Sequence, residues 1–233
     1  MTGDNLHNTK LSQQSTAVGG ERFGLPSFED HTFLIFGYGS ILWKQNFDYV
    51  QSYPCYIKGY DRVFYQGSRD HRGTPEAPGR VVTLLPSADP THRVVGVAFE
   101  LPADPPLLAA IFDKLDVREQ GGYERDELPL YVFPAPDPAA DTLLPVYTDP
   151  RKKRVVGLCY IATEGNEDYL GAASVDDMAA HILRCAGPSG PNREYLFPLA
   201  ECLRAMGAVD EHVFAIDAAA KRQLQEQGEP AAA

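Results

Sequence analysis

What most limits the fold of this chain is the placement of its strand-like and helix-like runs. FLIFGY from Phe33, CYIKGYDRVFYQGS from Cys55, GRVVTLLP from Gly79 and RVVGVAFELP from Arg93 crowd the first half. Each is rich in apolar, β-branched or aromatic residues, and Gly and Pro punctuate them. A helical period then appears in ADPPLLAAIFDKLDVREQGG, where Leu107, Leu108, Ile111, Phe112 and Leu115 share one face. Its prolines and closing Gly-Gly are helix punctuation. Two more strand-like runs follow, ELPLYVF and RVVGLCYIAT, before three helical ones. SVDDMAAHILRCAG, NREYLFPLAECLRAMG and DEHVFAIDAAAKRQLQEQG each start near Ser, Asn or Asp and end at Gly. Strands first and helices later predict an α+β domain with a mixed or barrel-like sheet. Strands and helices do not alternate, which disfavours a doubly wound fold.

The 233 residues suit one domain over residues 31–227. Residues 1–30 are polar, without a sustained period, and read as a flexible tail, as do 228–233. PAPDPAADTLLPVYTDPRKK, full of Pro and Asp, reads as a mobile surface excursion. A net charge of −11 argues against non-specific nucleic-acid binding. It leaves room for an anionic small substrate in a local cationic pocket. No run is long and apolar enough to span a bilayer, and no secretory signal is visible. The four cysteines, Cys55, Cys159, Cys185 and Cys202, are widely spaced and form no CxxC. A reduced, cytoplasmic protein is expected. The histidines are scattered, so neither a metal nor a cofactor is expected.

Several stretches are candidates for chemistry. GYGSIL, Gly37 to Leu42, lacks the third glycine of a dinucleotide fingerprint. Its glycines allow backbone to approach a ligand, and strand-end N–H groups can polarise a carbonyl. The same stretch also reads as a plain tight turn. QGSRDHRGTPEAPGRVVTL places Arg69, His71, Arg72 and Arg80 in a basic loop. That loop reads either as a carboxylate clamp or as a solvated loop paired with surface acids. In DKLDVREQGGY, Glu119 falls in the last turn of a helix, where the dipole disfavours a carboxylate. Asp116, on the same face, adds like charge. Both effects predict a raised pKa, as a general base at neutral pH requires, although an exposed helical glutamate with Arg118 beside it fits the same letters. In AGPSGPNREYLF, Asn192 is placed as an N-cap, and Glu194 and Tyr195 are within reach of a pocket or of nothing.

FGYGSILWK, QGSRDHRGTPEAPGRVVTL, VGVAFEL, LDVREQGGYE, DYLG and AGPSGPNREYLF, in this order, resemble the ChaC family of glutathione-specific γ-glutamylcyclotransferases. The resemblance covers about Phe33 to Leu224. It implies a small α+β, γ-glutamylcyclotransferase-like fold with a mixed β-barrel flanked by helices. It also implies a substrate loop of Gly37, Tyr38, Gly39, Ser40, Ile41 and Leu42, and one essential glutamate, here Glu119. The substrate would be reduced glutathione, closed onto itself to give 5-oxoproline and cysteinylglycine; for such a substrate, loop N–H groups and Arg72 of the basic loop are the candidates to hold the α-carboxylate. No cofactor, metal, nucleic acid or membrane would take part. The order Ile41-Leu42, Tyr65 in place of a usual Trp, a longer excursion and a longer tail depart from the pattern. Cyclotransfer on other γ-glutamyl compounds and a non-catalytic γ-glutamyl-binding module are the rival readings. A serine hydrolase built on Ser40 or Ser189 lacks a recognisable elbow.

Overall fold

The computed structural model of the protein describes residues 20–119 and 122–228. The strands are β1 (His31–Gly37), β2 (Gln51–Lys58), β3 (Tyr60–Ser68), β4 (Gly79–Pro86), β5 (Arg93–Glu100), β6 (Tyr123–Glu127), β7 (Tyr131–Val132) and β8 (Arg154–Ala162), with the two-residue strands β9 (Ala186–Gly187) and β10 (Gly190–Pro191) paired in a small hairpin. The helices are α1 (Pro105–Arg118), α2 (Val175–Arg184), α3 (Arg193–Ala205) and α4 (Glu211–Glu226). Six strands form one sheet in the order β6-β8-β1-β5-β2-β7. β1 and β8 run parallel, and the other pairs are antiparallel. β3 and β4 form a separate ribbon with an irregularity between Val63 and Gln66.

The α+β class is as expected, but the barrel is not closed. A barrel needs every strand bonded to two neighbours. Among the described residues β6 and β7 pair with one strand each, and β4 is the one strand paired with β3, apart from a single bridge from Gln66 to Tyr169.

β1 explains the continuous apolar letters of FLIF. Successive side chains point to opposite faces, and both faces are covered. Leu34 and Phe36 join Tyr56, Phe64 and Leu84 in a core under α2, α3 and α4. Phe33 and Ile35 enter a second core with Phe99, Leu115 and Leu158, closed by α1. α1 starts where Asp104 accepts a hydrogen bond from Leu107 N–H at 2.9 Å, with Pro105 in its first turn. Its buried face, Leu108, Ile111, Phe112 and Leu115, has the expected spacing.

Two other expectations need correction. The proposed tail contains a 3-10 turn, Gly20–Phe23, and Phe23 and Phe28 are buried in the α1-side core. Two aromatic residues in a polar stretch are enough to bind it down; residues 1–19 and 229–233 lie outside the described residues. The Pro-rich excursion is also anchored. Asp141 accepts from Tyr56 Oη at 2.7 Å, from Arg93 at 3.1 Å and from Lys58. Leu144 and Val146 are buried, and Leu143 bridges to Tyr131 on the β7 edge. The segment covers a strand edge that would otherwise present unpaired backbone. No described helix is long and apolar enough to cross a membrane.

Candidate active site

β1 is central in the sheet, so its end is a buried corner. Gly37 pairs with Val97, and the chain then turns out of the strand. Ser40–Leu42 form a 3-10 turn closed by Leu42 N–H to Gly39 O at 3.0 Å and Lys44 N–H to Ser40 O at 2.9 Å. Tyr38 drops into one core, where its hydroxyl donates to Tyr160 O at 2.8 Å. Ile41 drops into the other. The turn is therefore tied down on both faces of the sheet. Its first N–H groups, at Ser40 and Ile41, have no intrahelical partner.

Gly39 is required by close packing. Its φ of −121° is open to any residue. A Cβ there would stand 2.6 Å from Tyr195 Oη and 3.1 Å from Val82 Cγ2. Tyr195 cannot yield easily, because its ring packs edge-on against Trp43 and Phe64. Gly39→Ala is expected to displace the turn or Tyr195. Misplacement near 1 Å at such a site costs about 10²-fold in rate, measurable as kcat with the thermal transition retained.

Beside the turn lies a cavity of about 850 Å³. Ser40, Arg72, Arg118, Glu119, Tyr123 and Tyr195 are among its lining residues. Of the expected site residues, then, Ser40, Glu119 and Arg72 meet on one cavity. Gly37, Tyr38, Gly39, Ile41 and Leu42 are not among its lining residues and shape the turn behind Ser40.

Glu119 caps the C-terminus of α1, with its N–H bonded to Leu115 O at 2.9 Å. Its φ and ψ of −100° and 28° take it out of the helix. The side chain is 16% exposed, and its Oε1 lies 3.2 Å from Arg118 Nε. Burial pushes its pKa up; Arg118 opposes this, and the Asp70 charge adds to it. The expected direction is therefore present, with a different cause. Asp116 points elsewhere, accepting from Tyr160 Oη at 2.9 Å with Arg125 close by. A continuing helix would put Asp116 on the face of Glu119, but the helix ends at Arg118.

Arg118 is no solvated neighbour of an exposed glutamate, the alternative that the letters left open; it is a clamp. Its Nη2 donates to Ser40 Oγ at 2.7 Å. Its Nη1 donates to Lys44 O at 2.6 Å and Gln45 O at 3.0 Å. No sequence signal distinguishes it from the other arginines. Tyr123, also on the cavity wall, donates to Val82 O at 2.9 Å.

The basic loop is paired. Arg69 meets Asp168 at 2.5 Å, and Arg80 is buried, donating to Phe64 O and Gly171 O. Arg72 lines the cavity while its Nη1 is held by Pro191 O at 2.9 Å and Glu194 at 3.2 Å. Glu194 therefore serves Arg72, while Tyr195 reaches the cavity. Asn192 occupies the cap position of α3 but makes no side-chain cap bond. Its amide instead bonds both backbone groups of Arg80, at 2.6 and 2.8 Å, joining α3 to β4. Among the described residues no group of His, Cys, Asp and Glu is placed to hold a metal ion.

The chain has relatives among known proteins. Gamma-glutamylcyclotransferase 2-3 of Arabidopsis thaliana is 41% identical over 77% of this chain and 83% of its own length. Glutathione-specific gamma-glutamylcyclotransferase 1 of Homo sapiens is 40% identical over 78% of this chain and 75% of its own. The crystal structure of a yeast gamma-glutamyl cyclotransferase specific to glutathione superposes with a TM-score of 0.68 at 29% identity, covering 82% of this chain and 96% of that one. Residues 33–223 match the family described as ChaC-like protein. The chain belongs to the ChaC family.

Proposed function

We propose that the chain cleaves glutathione by intramolecular γ-glutamyl transfer, with Glu119 as general base and acid. The observation that carries this reading is the largely buried Glu119 carboxylate on one cavity with Ser40, linked to it through Arg118, in a chain with relatives named glutathione-specific cyclotransferases. The α-amino nitrogen of the γ-glutamyl group attacks its own γ-carbonyl carbon. The new N–C bond closes 5-oxoproline, and the old amide C–N bond breaks to release cysteinylglycine. The proton leaving the attacking nitrogen ends on the leaving nitrogen, so no water is consumed.

The nucleophile comes with the substrate, so the protein supplies three other things. A free α-amino group has a pKa of about 7.7–8.0 and is mainly ammonium at neutral pH. Glu119, with its pKa raised by burial, takes that proton and delivers one to the leaving nitrogen. The turn that follows Tyr38, which meets the cavity at Ser40, offers backbone N–H groups to the developing oxyanion. The glutamyl arm must be held folded for attack, where orientation contributes roughly 7–11 kcal/mol in favourable intramolecular systems. Arg72, on the cavity wall, is the proposed partner of the α-carboxylate.

A serine hydrolase has one observation in its favour. Ser189 Oγ lies 3.4 Å from His71 Nδ1, and His71 Nε2 lies 3.7 Å from Asp70. Both contacts are long, and the His71 and Asp70 side chains are more than half exposed. Ser40 Oγ is already held by Arg118. Neither serine has a base oriented for it.

Product analysis separates the readings. Purified protein with reduced glutathione and no added metal should yield 5-oxoproline and cysteinylglycine in equal amounts, and much less from γ-Glu-Ala. Glutamate and cysteinylglycine would indicate hydrolysis instead. Turnover of γ-Glu-Ala alone would move the substrate to other γ-glutamyl compounds. Glutathione binding without any product would favour a binding module.

A further inference from the structure

We infer that Arg118 is a positioning residue for this reaction: one guanidinium locks the candidate base to the turn that faces it. The inference rests on the reading of Glu119 as the base. Neighbouring residues on a helix do not face each other. Here Glu119 leaves helical geometry, and that departure brings its carboxylate to 3.2 Å from Arg118 Nε. The other end of the guanidinium grips the turn at three oxygens, Ser40 Oγ, Lys44 O and Gln45 O, all within 3.0 Å. Arg118 thus spans the junction between α1 and the β1 exit. Only a planar fork of donors can meet four oxygens of two elements in this way.

The clamp has an electrostatic consequence. Arg118 and Asp70, from the β3–β4 loop, act on Glu119, and Glu119 in turn acts on Tyr38 beyond β1, Tyr123 on β6, Cys159 and Tyr160 on β8, and Tyr195 on α3. Asp70 is negative. Burial raises the pKa values of the tyrosines and of Cys159, which keeps them neutral at neutral pH. Arg118 is the cation in the set. It keeps a buried carboxylate ionisable while fixing its distance from the turn.

Steady-state kinetics across pH test this. Arg118→Gln should lower kcat by about 10²-fold, with KM changed only a few-fold. The acidic limb of its pH profile should move to higher pH, because the opposing cation is gone. Arg118→Lys should bring the limb back towards its wild-type position with kcat still at least ~10-fold down, since an ammonium is a point charge and cannot span both elements. Ser40→Ala should lower kcat and leave the limb in place, because the cation remains. A merely structural arginine would reduce the amount of active protein without moving the limb, and that result overturns the inference. If Arg118→Gln does not fold, Arg118→Lys decides: wild-type kcat there overturns it as well. A dead Glu119→Gln beside an unaffected Arg118→Gln would leave the base standing and remove the clamp. An active Glu119→Gln would remove both.

Discussion

Glu119→Gln is expected to cut 5-oxoproline formation by about 10²–10⁴-fold, the usual contribution of a positioned general acid or base. The amide keeps the shape of the carboxylate and a hydrogen-bonding oxygen for Arg118, so the loss should appear in kcat. The folded state should not suffer. The folded pKa of Glu119 is raised by burial above its unfolded value. Between those two values the native state binds more protons than the unfolded one, so stability falls as pH rises through that window. Above that window the wild type carries the cost of an ionised, largely buried carboxylate. Gln removes that cost, and its thermal midpoint at pH 7 should be no lower than the wild type's. Activity within a few-fold of wild type would end the role of Glu119. A lost transition with lost activity would show that the residue holds the fold instead.

Some of this site is legible in the letters, and some is not, for physical reasons. FLIF followed by GYGS reads as a strand and a turn because period and glycine are local signals, and β1 and its exit are there. Leu108, Ile111, Phe112 and Leu115 read as one helix face for the same reason. Glu119 was placed at the end of that helix, and burial does raise its pKa, but through the cavity wall and Asp70. Pairings between distant segments leave no periodic trace. Arg118 to Ser40, Asn192 to Arg80 and Asp141 to Tyr56 span 78, 112 and 85 residues. Composition misled in the excursion, where Pro and Asp hid the buried Leu144 and Val146. The open sheet was equally hidden, because strand letters do not say whether β3 pairs with β2 or leaves it for β4 alone.

Phe28→Ala should cost about 3–5 kcal/mol of stability, the range for emptying a phenylalanine site in a packed core. Phe28 lies in the stretch that composition assigns to a tail, yet it is 1% exposed. Its ring stacks on Phe112 at 5.6 Å and Phe23 at 5.9 Å, and meets Phe33 edge-on at 5.4 Å. The rings it joins belong to α1, β1 and the 3-10 turn at Gly20–Phe23, so its removal leaves a void at a three-way contact. Neighbouring bonds cannot refill it: Arg22 pairs with Asp113 at 2.5 Å, and Arg125 donates to Phe23 O, both around the rim. Denaturant titration should show a lower midpoint. A truly detached tail would give a change within about 0.5 kcal/mol. The effect should reach the site as well. α1 carries Arg118 and Glu119 at its end and is seated on Phe28 through Phe112, so the variant should lose turnover below its melting temperature, as the helix loosens before the sheet unfolds. Loss of turnover only in step with global unfolding would show that α1 is held without Phe28.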